Sequence, residues 1–395
     1  MISVEQALQL VLQETISFKI ENVPLLQSLG RVLAQEVKAD RDFPPFDRVT
    51  MDGIAINAKA FETGTRTFSI AQIQAAGQPP TTLDNPDNCV EVMTGAVLPV
   101  NATAVIRYED CQILKELATV LIDHVKRGQN IHRQGADCLA GTVLLMPGQR
   151  ITPAMIGTLA SVGLSKVSVF QNPKIAICST GDELVEIDQT PLPHQIRKSN
   201  VYMLAAALQE ENIQASLFHL PDEPEAMRQQ LTDIFRENEV VLLSGAVSKG
   251  KFDYLPQVLE QMRFWPIFHK IAQKPGKPML FGKMPDGPLV FGFPGNPVST
   301  FVCYQLYFKP WHKRCLGVSE TPLWGQLAED VTFAPALTYH VPVRLKNEKG
   351  IWKATPVPNT GSGNLTSILT AEGLLTLPAD RTDFLVGEVF PVTLL

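Results

Sequence analysis

Between residues 240 and 310 one arrangement recurs three times: a short apolar run ends at a loop of small residues. The loops are residues 244–250 (SGAVSKG), 273–278 (QKPGKP) and 293–297 (FPGNP). If the apolar runs are neighbouring strands of an α/β sheet, their carboxyl-terminal loops line one crevice, where ligands of such sheets bind. The crevice would receive backbone N–H groups, small hydroxyls, lysines and an aspartate. Those groups suit a phosphorylated anion with a metal ion.

The surrounding segment, 171–316, alternates in period. Residues 174–179 (KIAICS), 214–220 (QASLFHL), 239–244 (EVVLLS), 264–271 (FWPIFHKI) and 288–293 (PLVFGF) read as strands. Between and after them lie helical patterns at 199–212, 223–238, 253–262 and 297–314. Strands alternating with helices predict a parallel sheet covered on both faces. Residues 43–139 are rich in Thr, Gly, Pro and β-branched residues, which predicts a strand-and-turn domain. Residues 23–42 and 140–170 flank it, with a short helix expected over 25–32. Residues 317–395 have no convincing helix and read as a small β-barrel or sandwich. The first residues form an amphipathic helix with Val4, Leu8, Val11 and Leu12 on one face. They lack the basic region and apolar core of a signal peptide.

The length of 395 residues calls for more than one core. A net charge of −6 argues against a general nucleic-acid footprint, so any anion site must be a local basic cluster. No apolar run approaches the ~20 residues that span a bilayer. The six cysteines form no CxxC pair and the histidines are scattered, so a zinc site is not expected. Unpaired, mostly apolar-flanked cysteines suit a reducing cytoplasm.

Several stretches carry chemistry, each with a plainer alternative. At 179–183 (STGDE) a buried strand turns at Gly181 into Asp182 and Glu183, which are either solvated turn acids or ligands at a strand end. Residues 244–254 nearly match a phosphate loop, because Gly245, Gly250 and Lys251 fit GxxxxGK. Phe252 stands where that motif needs a hydroxyl for Mg²⁺, so an NTPase loop is rejected. Asp253 can hold a cation or cap the helix after it, and Asp222 with Glu225 forms a D-x-x-E capping pattern. Lys270, Lys274 and Lys277 stand close together in a loop stiffened by Pro275 and Pro278, which makes them either a rigid oxyanion clamp or a solvated basic loop. Pro294 and Pro297 frame Gly295 before an apolar helix. In the β-rich zone, three polar turns offer Asp52, Thr94 and Asp137. No spacing suggests a Ser/His/Asp or Cys/His nucleophile.

In this order the motifs FDRVTMDGIA, VMTGAVLP, CSTGDEL, IRKSNVYML, LLSGAVSKGKFDY, KIAQKPGKPMLFG, FGFPGNPVS and GSGNLTSILTAEGLLTLP resemble the molybdopterin molybdenumtransferase family, which includes the E domain of gephyrin. They cover nearly the whole chain. The resemblance implies a multidomain fold of α/β plus β-rich domains. Residues 1–22 plus 171–316 would form a three-layer molybdopterin-binding domain, and 23–42 plus 140–170 a linking domain. Residues 43–139 would form a β-rich lid and 317–395 a C-terminal barrel. It implies a cytoplasmic homodimer with the cleft between subunits, acting without nucleic acid or membrane. A molybdopterin adenylyltransferase and molybdoenzyme acceptors would be its partners.

The implied reaction uses Mg²⁺, molybdate and adenylylated molybdopterin, inserts molybdenum and releases AMP. The resemblance makes Glu183, Asp222 and Asp253 the acids around metal and nucleotide, with Glu183 and Asp253 as metal ligands. Lys270, Lys274 and Lys277 would be the oxyanion clamp. Ser244, Gly245, Ser248, Pro294, Gly295 and Pro297 would form the binding wall. Asp52, Thr94 and Asp137 would come from the β-rich domain, and Arg344 and Ser362 from the last. Phosphoryl chemistry of this kind needs charge neutralisation and positioning rather than a protein nucleophile. The sequence departs from the family pattern at Ala246, Ala136 and Lys198, the last standing where an acid is frequent. Two other functions compete: ATP-dependent molybdopterin adenylylation, and a non-enzymatic dimeric scaffold binding a partner peptide.

Overall fold

The computed structural model describes residues 1–245, 254–319, 321–358 and 361–395. Two compact units are present, one of Met1–Ala34, Pro147–Thr152 and Lys166–Leu395, the other of Gln35–Met146 and Pro153–Ser165. Helix α1 (Val4–Gln13) starts at a capping box, in which Gln6 N–H donates to Ser3 Oγ (3.1 Å) and Ser3 N–H to Gln6 Oε1 (3.2 Å). Ala7 joins Val11 as its fully buried face, with Val4, Leu8 and Leu12 half-buried beside them. The segment expected as a helix over 25–32 is a single 3₁₀ turn, Leu25–Ser28, ended by Gly30 at φ 75°.

The unit of Gln35–Met146 holds β1 (Gly53–Ile56), α2 (Ala58–Glu62), β2 (Thr67–Gln74), β3 (Asn88–Val92), β4 (Ala104–Arg107), β5 (Cys111–Leu114) and β6 (Leu117–Val120). The strands form one sheet in the order β4-β1-β3-β2-β6-β5. All four residues of β1 are buried, so both its faces are covered. Helix α2 was not anticipated, since five residues carry no readable period; Asn57 Oδ1 caps it by accepting from Lys59 N–H at 3.1 Å. Helix α3 (Pro153–Ser161) belongs to the same unit.

The other unit carries β7 (Ile175–Thr180), α4 (Asn200–Glu210), β8 (Ala215–Leu220), α5 (Pro224–Glu237), β9 (Val240–Ser244), α6 (Leu255–Gln261), β10 (Trp265–His269), β11 (Leu280–Lys283), β12 (Leu289–Phe293), α7 (Pro297–Cys303) and α8 (Lys309–Cys315). Its sheet order is β8-β7-β9-β12-β11-β10. Strands β8, β7, β9 and β12 are parallel as expected, but β11 runs antiparallel to both its neighbours, β12 and β10. The wholly parallel reading fails because PMLFGK is a strand of its own, returned to β12 through a tight turn with Asp286 at φ 52°. Between α7 and α8 the helix widens into a π turn, Tyr304–Phe308. Pro310 lacks the N–H that an α-helix would give to Leu306, and the wider turn accommodates that loss.

Two cores flank the sheet. Ile177, Leu242, Phe291 and Trp311 pack with Ala7 and Val11 on one side; Cys178, Leu243, Leu231 and Leu259 pack on the other. Trp311 is fully buried and donates Nε1–H to Glu14 O at 2.8 Å, tying α8 to the end of α1. The last strands are β13 (Leu323–Leu327), β14 (Thr338–Glu348), β15 (Ile351–Pro356), β16 (Gly373–Leu377) and β17 (Val389–Leu394). They close into a ring, β14-β15-β13-β17-β16 and back to β14, so the barrel rather than the sandwich is the outcome. Leu327, Val343, Ala354, Leu375 and Phe384 are fully buried inside it. Among the described residues no helix is long and apolar enough to cross a membrane.

Candidate active site

The carboxyl ends of β7, β9 and β12 lie side by side, with Ser179 opposite Ser244 and Ser244 opposite Phe293. From β7 the chain goes to β8 on one side, then crosses to β9 on the other. Such a reversal of direction opens a crevice at the strand ends. A cleft of about 750 Å³ lies there, lined by Glu183, Asp222, Ser244, Gly245, Pro294 and Pro297, among others. Gly245 sits at φ 101°, and a Cβ there would lie 2.9 Å from Thr180 Oγ1. A Cβ on Gly295 would lie 3.7 Å from Gly245 Cα, so two loop backbones meet without side chains between them. A floor of that kind presents peptide groups directly to a ligand.

The two acids reach the cleft from adjacent loops that brace each other. Asp182 N–H donates to Asp222 Oδ2 (3.1 Å), and Asp222 N–H to Asp182 Oδ1 (3.4 Å). Asp222 is not the helix cap that D-x-x-E suggested. Pro224 takes the first helical position, which moves the cap to Glu223, whose carboxylate accepts from Glu225 N–H (3.1 Å) and Ala226 N–H (2.6 Å). Asp222 therefore keeps a carboxylate oxygen for the cleft. Gly181, at φ 122°, has its Cβ position filled by the Glu183 side chain, 2.8 Å from its Cδ, so the acid folds back over the turn.

Asn200, which was given no role from the sequence, also lines the cleft, as does Lys198, which the sequence marked only as a departure from the family pattern. Asn200 Nδ2 lies 2.9 Å from Ser244 Oγ, 2.7 Å from Gly295 O and 3.3 Å from Thr300 Oγ1, joining three elements of the floor. Thr300 Oγ1 in turn donates to Pro294 O at 2.5 Å. The signal was the Ser-Asn pair ahead of a helix, which reads locally as no more than a cap. Behind β7, Ser179 Oγ lies 3.0 Å from His219 Nδ1. Burial first, and then the Lys198 charge, hold that imidazole below its ordinary pKa.

The lysine loop enters the cleft through Pro278. Lys270 is half-buried at φ 83°, a backbone that costs a lysine about 1 kcal/mol and a glycine nothing. Lys274 and Lys277 are exposed, and Lys274 Nζ stands 5.5 Å from the Phe333 ring centroid of the barrel segment. Beneath them Gln273 is fully buried, donating to Pro275 O at 3.0 Å and accepting from the Tyr307 hydroxyl. Tyr307→Phe strands a buried acceptor, so we expect a loss of about 1–3 kcal/mol in stability, measurable by urea unfolding. No loss would mean that Gln273 repairs itself. Gln273 and Lys274 also pair in parallel with Thr338 and Tyr339 of β14. Ser362 is tied to the 293–297 loop, its Oγ accepting from Asn296 Nδ2 (2.8 Å) and its carbonyl from Val298 N–H (3.2 Å). Gly363 and Leu365 beside it line the cleft, whereas the exposed Arg344 on β14 reaches Thr370 Oγ1 at 3.5 Å.

Family models match three stretches in turn. They are "MoeA N-terminal region (domain I and II)" over residues 2–163, "Probable molybdopterin binding domain" over 176–314, and "MoeA C-terminal region (domain IV)" over 325–395. A molybdopterin molybdenumtransferase from Synechocystis is 39% identical over 395 residues, spanning 99% of this chain and 99% of its own. The chain belongs to the molybdopterin molybdenumtransferase family. A relative so named from Synechococcus elongatus is 33% identical over 98% of this chain and 97% of its own. A solved molybdopterin biosynthesis MoeA protein from Pyrococcus horikoshii superposes with a TM-score of 0.86 at 30% identity, covering 100% of this chain and 98% of that one. The protein is thus a transferase of molybdenum cofactor biosynthesis acting on molybdopterin.

In the transferase's other unit, Asp52 and Thr94 come together. Thr94 N–H donates to Asp52 Oδ1 at 2.6 Å and, with the threonine hydroxyl, holds that carboxyl below its ordinary range. Asp137 Oδ1 accepts from His132 Nε2 at 2.9 Å, while Arg48 Nη2 lies 3.2 Å from His132 Nδ1. Guanidinium only donates, so in this contact Nδ1 is the acceptor and Nε2 carries the N–H that faces Asp137. Arg48 lies within the FDRVTMDGIA motif but was given no role there, His132 carries no motif, and pairing between their short strands brings them together. Ser248 and Asp253, with Ala246, lie outside the described residues.

Proposed function

We propose that the cleft binds adenylylated molybdopterin and molybdate with Mg²⁺, inserts molybdenum and releases AMP. The observation that carries this reading is the pair of carboxylates, Glu183 and Asp222, poised over a floor of bare backbone. Mg²⁺ is commonly held by one or two carboxylates plus substrate phosphates, so this donor set fits it, with Asp253 as a further ligand. When bound, the ion supplies charge neutralisation for the phosphate oxygens. Backbone groups at Ser244, Gly245 and Gly295 position the phosphate. Lys270, Lys274 and Lys277 attract the molybdate dianion, with Arg344 and Ser362 as later contacts.

The test is AMP release from adenylylated molybdopterin with Mg²⁺, with and without molybdate. Molybdate-dependent release is expected. Release without that dependence, or none, would sink the proposal. AMP incorporation from ATP would favour adenylylation instead, and a tight peptide complex with no turnover would favour the scaffold.

The proposal extends to a cytoplasmic homodimer of four-domain chains, in which Asp52, Thr94 and Asp137 are given to the cleft by the second subunit. Equal mixtures of Asp52→Ala and Asp222→Asn chains, allowed to exchange, should then recover about a quarter of wild-type activity, because half the dimers hold one intact site. Mixtures as inactive as their parents would place the whole site within one chain.

A further inference from the structure

Lys198 is 9% exposed and lines the cleft. A lysine rarely goes so deep without a paired acid. Its ammonium donates to Glu186 Oε1, which uses one of three donors. The pair is lopsided, since Glu186 is still 49% exposed. Here the carboxylate stays in water and the cation faces the cleft wall.

The backbone that carries Lys198 is fixed before any ligand arrives. Its N–H donates to Val185 O at 3.0 Å, and Leu184 and Val185 pair in parallel with Ile196 and Arg197. Arg197 Nε donates to Gln189 O at 3.0 Å, bracing the same turn. A side chain on a fixed backbone and this enclosed has less freedom to lose on gaining a new partner. The titratable groups around it are Glu186, Asp182, Glu183, Asp222 and His219, whose imidazole burial holds below its ordinary pKa. Among the described lining residues, the only cations are Arg197 and Lys198.

We infer that Lys198 is a further anion-binding residue of this cleft, taking a phosphate oxygen of the substrate when the ammonium turns from Glu186. The inference rests on the phosphorylated substrate proposed above. A half-exposed carboxylate gains back water when it is left, so the exchange favours the more highly charged phosphate. The phosphate could be that of the nucleotide or that of the pterin.

Calorimetric titration of the full chain with AMP and, separately, with molybdopterin tests it. Lys198→Gln should weaken at least one of the two by about tenfold, and Lys198→Arg should restore most of the loss. The probe that responds identifies which phosphate is held. Glu186→Gln removes the competitor and should bind as tightly as wild type or tighter. Unchanged affinity of Lys198→Gln for both probes would overturn the assignment, as would wild type binding neither. Equal losses in Glu186→Gln and Lys198→Gln would also overturn it, because the pair would then serve structure alone. If wild type releases AMP normally while Lys198→Gln binds both probes unchanged, only the lysine assignment falls. If wild type releases none, the reaction falls and Lys198 is judged on binding alone.

Discussion

Asp222→Asn is expected to lower molybdate-dependent AMP release by roughly 10²–10³-fold, the scale on which one preorganised electrostatic group acts. The amide keeps the size of the side chain and can still accept from Asp182 N–H, the contact that braces the two loops. Helix α5 is untouched, because its cap is Glu223. Only the charge facing the cleft is lost. Single-turnover release and a thermal melt on the same sample separate the effects: activity should collapse while the melting temperature stays within a few degrees. Release within tenfold of wild type would remove Asp222 from the chemistry.

Among the described glycines, Gly53→Ala should be the most damaging change to alanine. A Cβ at Gly53 would overlap the Ile106 carbonyl, at 2.8 Å from its carbon and 2.9 Å from Arg107 Cα. These are backbone atoms of β4, the strand paired with β1, so no flexible side chain can move aside. The backbone there, at φ 156°, is also one that side chains seldom adopt. A loss of about 3 kcal/mol or more in stability is expected, together with displacement of Asp52, the preceding residue. Differential scanning calorimetry reads it directly, and an unshifted transition would mean that the two strands separate at little cost.

What could be read from the residues followed from period and punctuation. The parallel strands of the α/β sheet were visible as apolar runs ending in small residues, and the inward face of α1 was written in Val4, Leu8, Val11 and Leu12. Strand β11 was hidden because a four-residue apolar run beside prolines and lysines looks like part of a loop. The cap at Glu223 was missed because one proline moved the helix start by a single position. The site was legible where a motif marked it, at Glu183, Ser244, Gly245 and Pro294. Asn200 was not, because its partners lie far along the chain, and Lys198 showed only as a departure from the family pattern. Asn200 reaches Gly295 and Thr300 across a fold that local spacing does not encode.

The pairing of Gln273 and Lys274 with β14 makes the lysine loop a borrowed edge of the barrel. A chain stopped after Cys315 would not be a smaller working enzyme. Its lysines would lose the strand that aligns them, and the 293–297 loop would lose Ser362. The C-terminal region is therefore not an interchangeable module. A hybrid that takes its barrel from a relative must inherit the matching lysine loop as well.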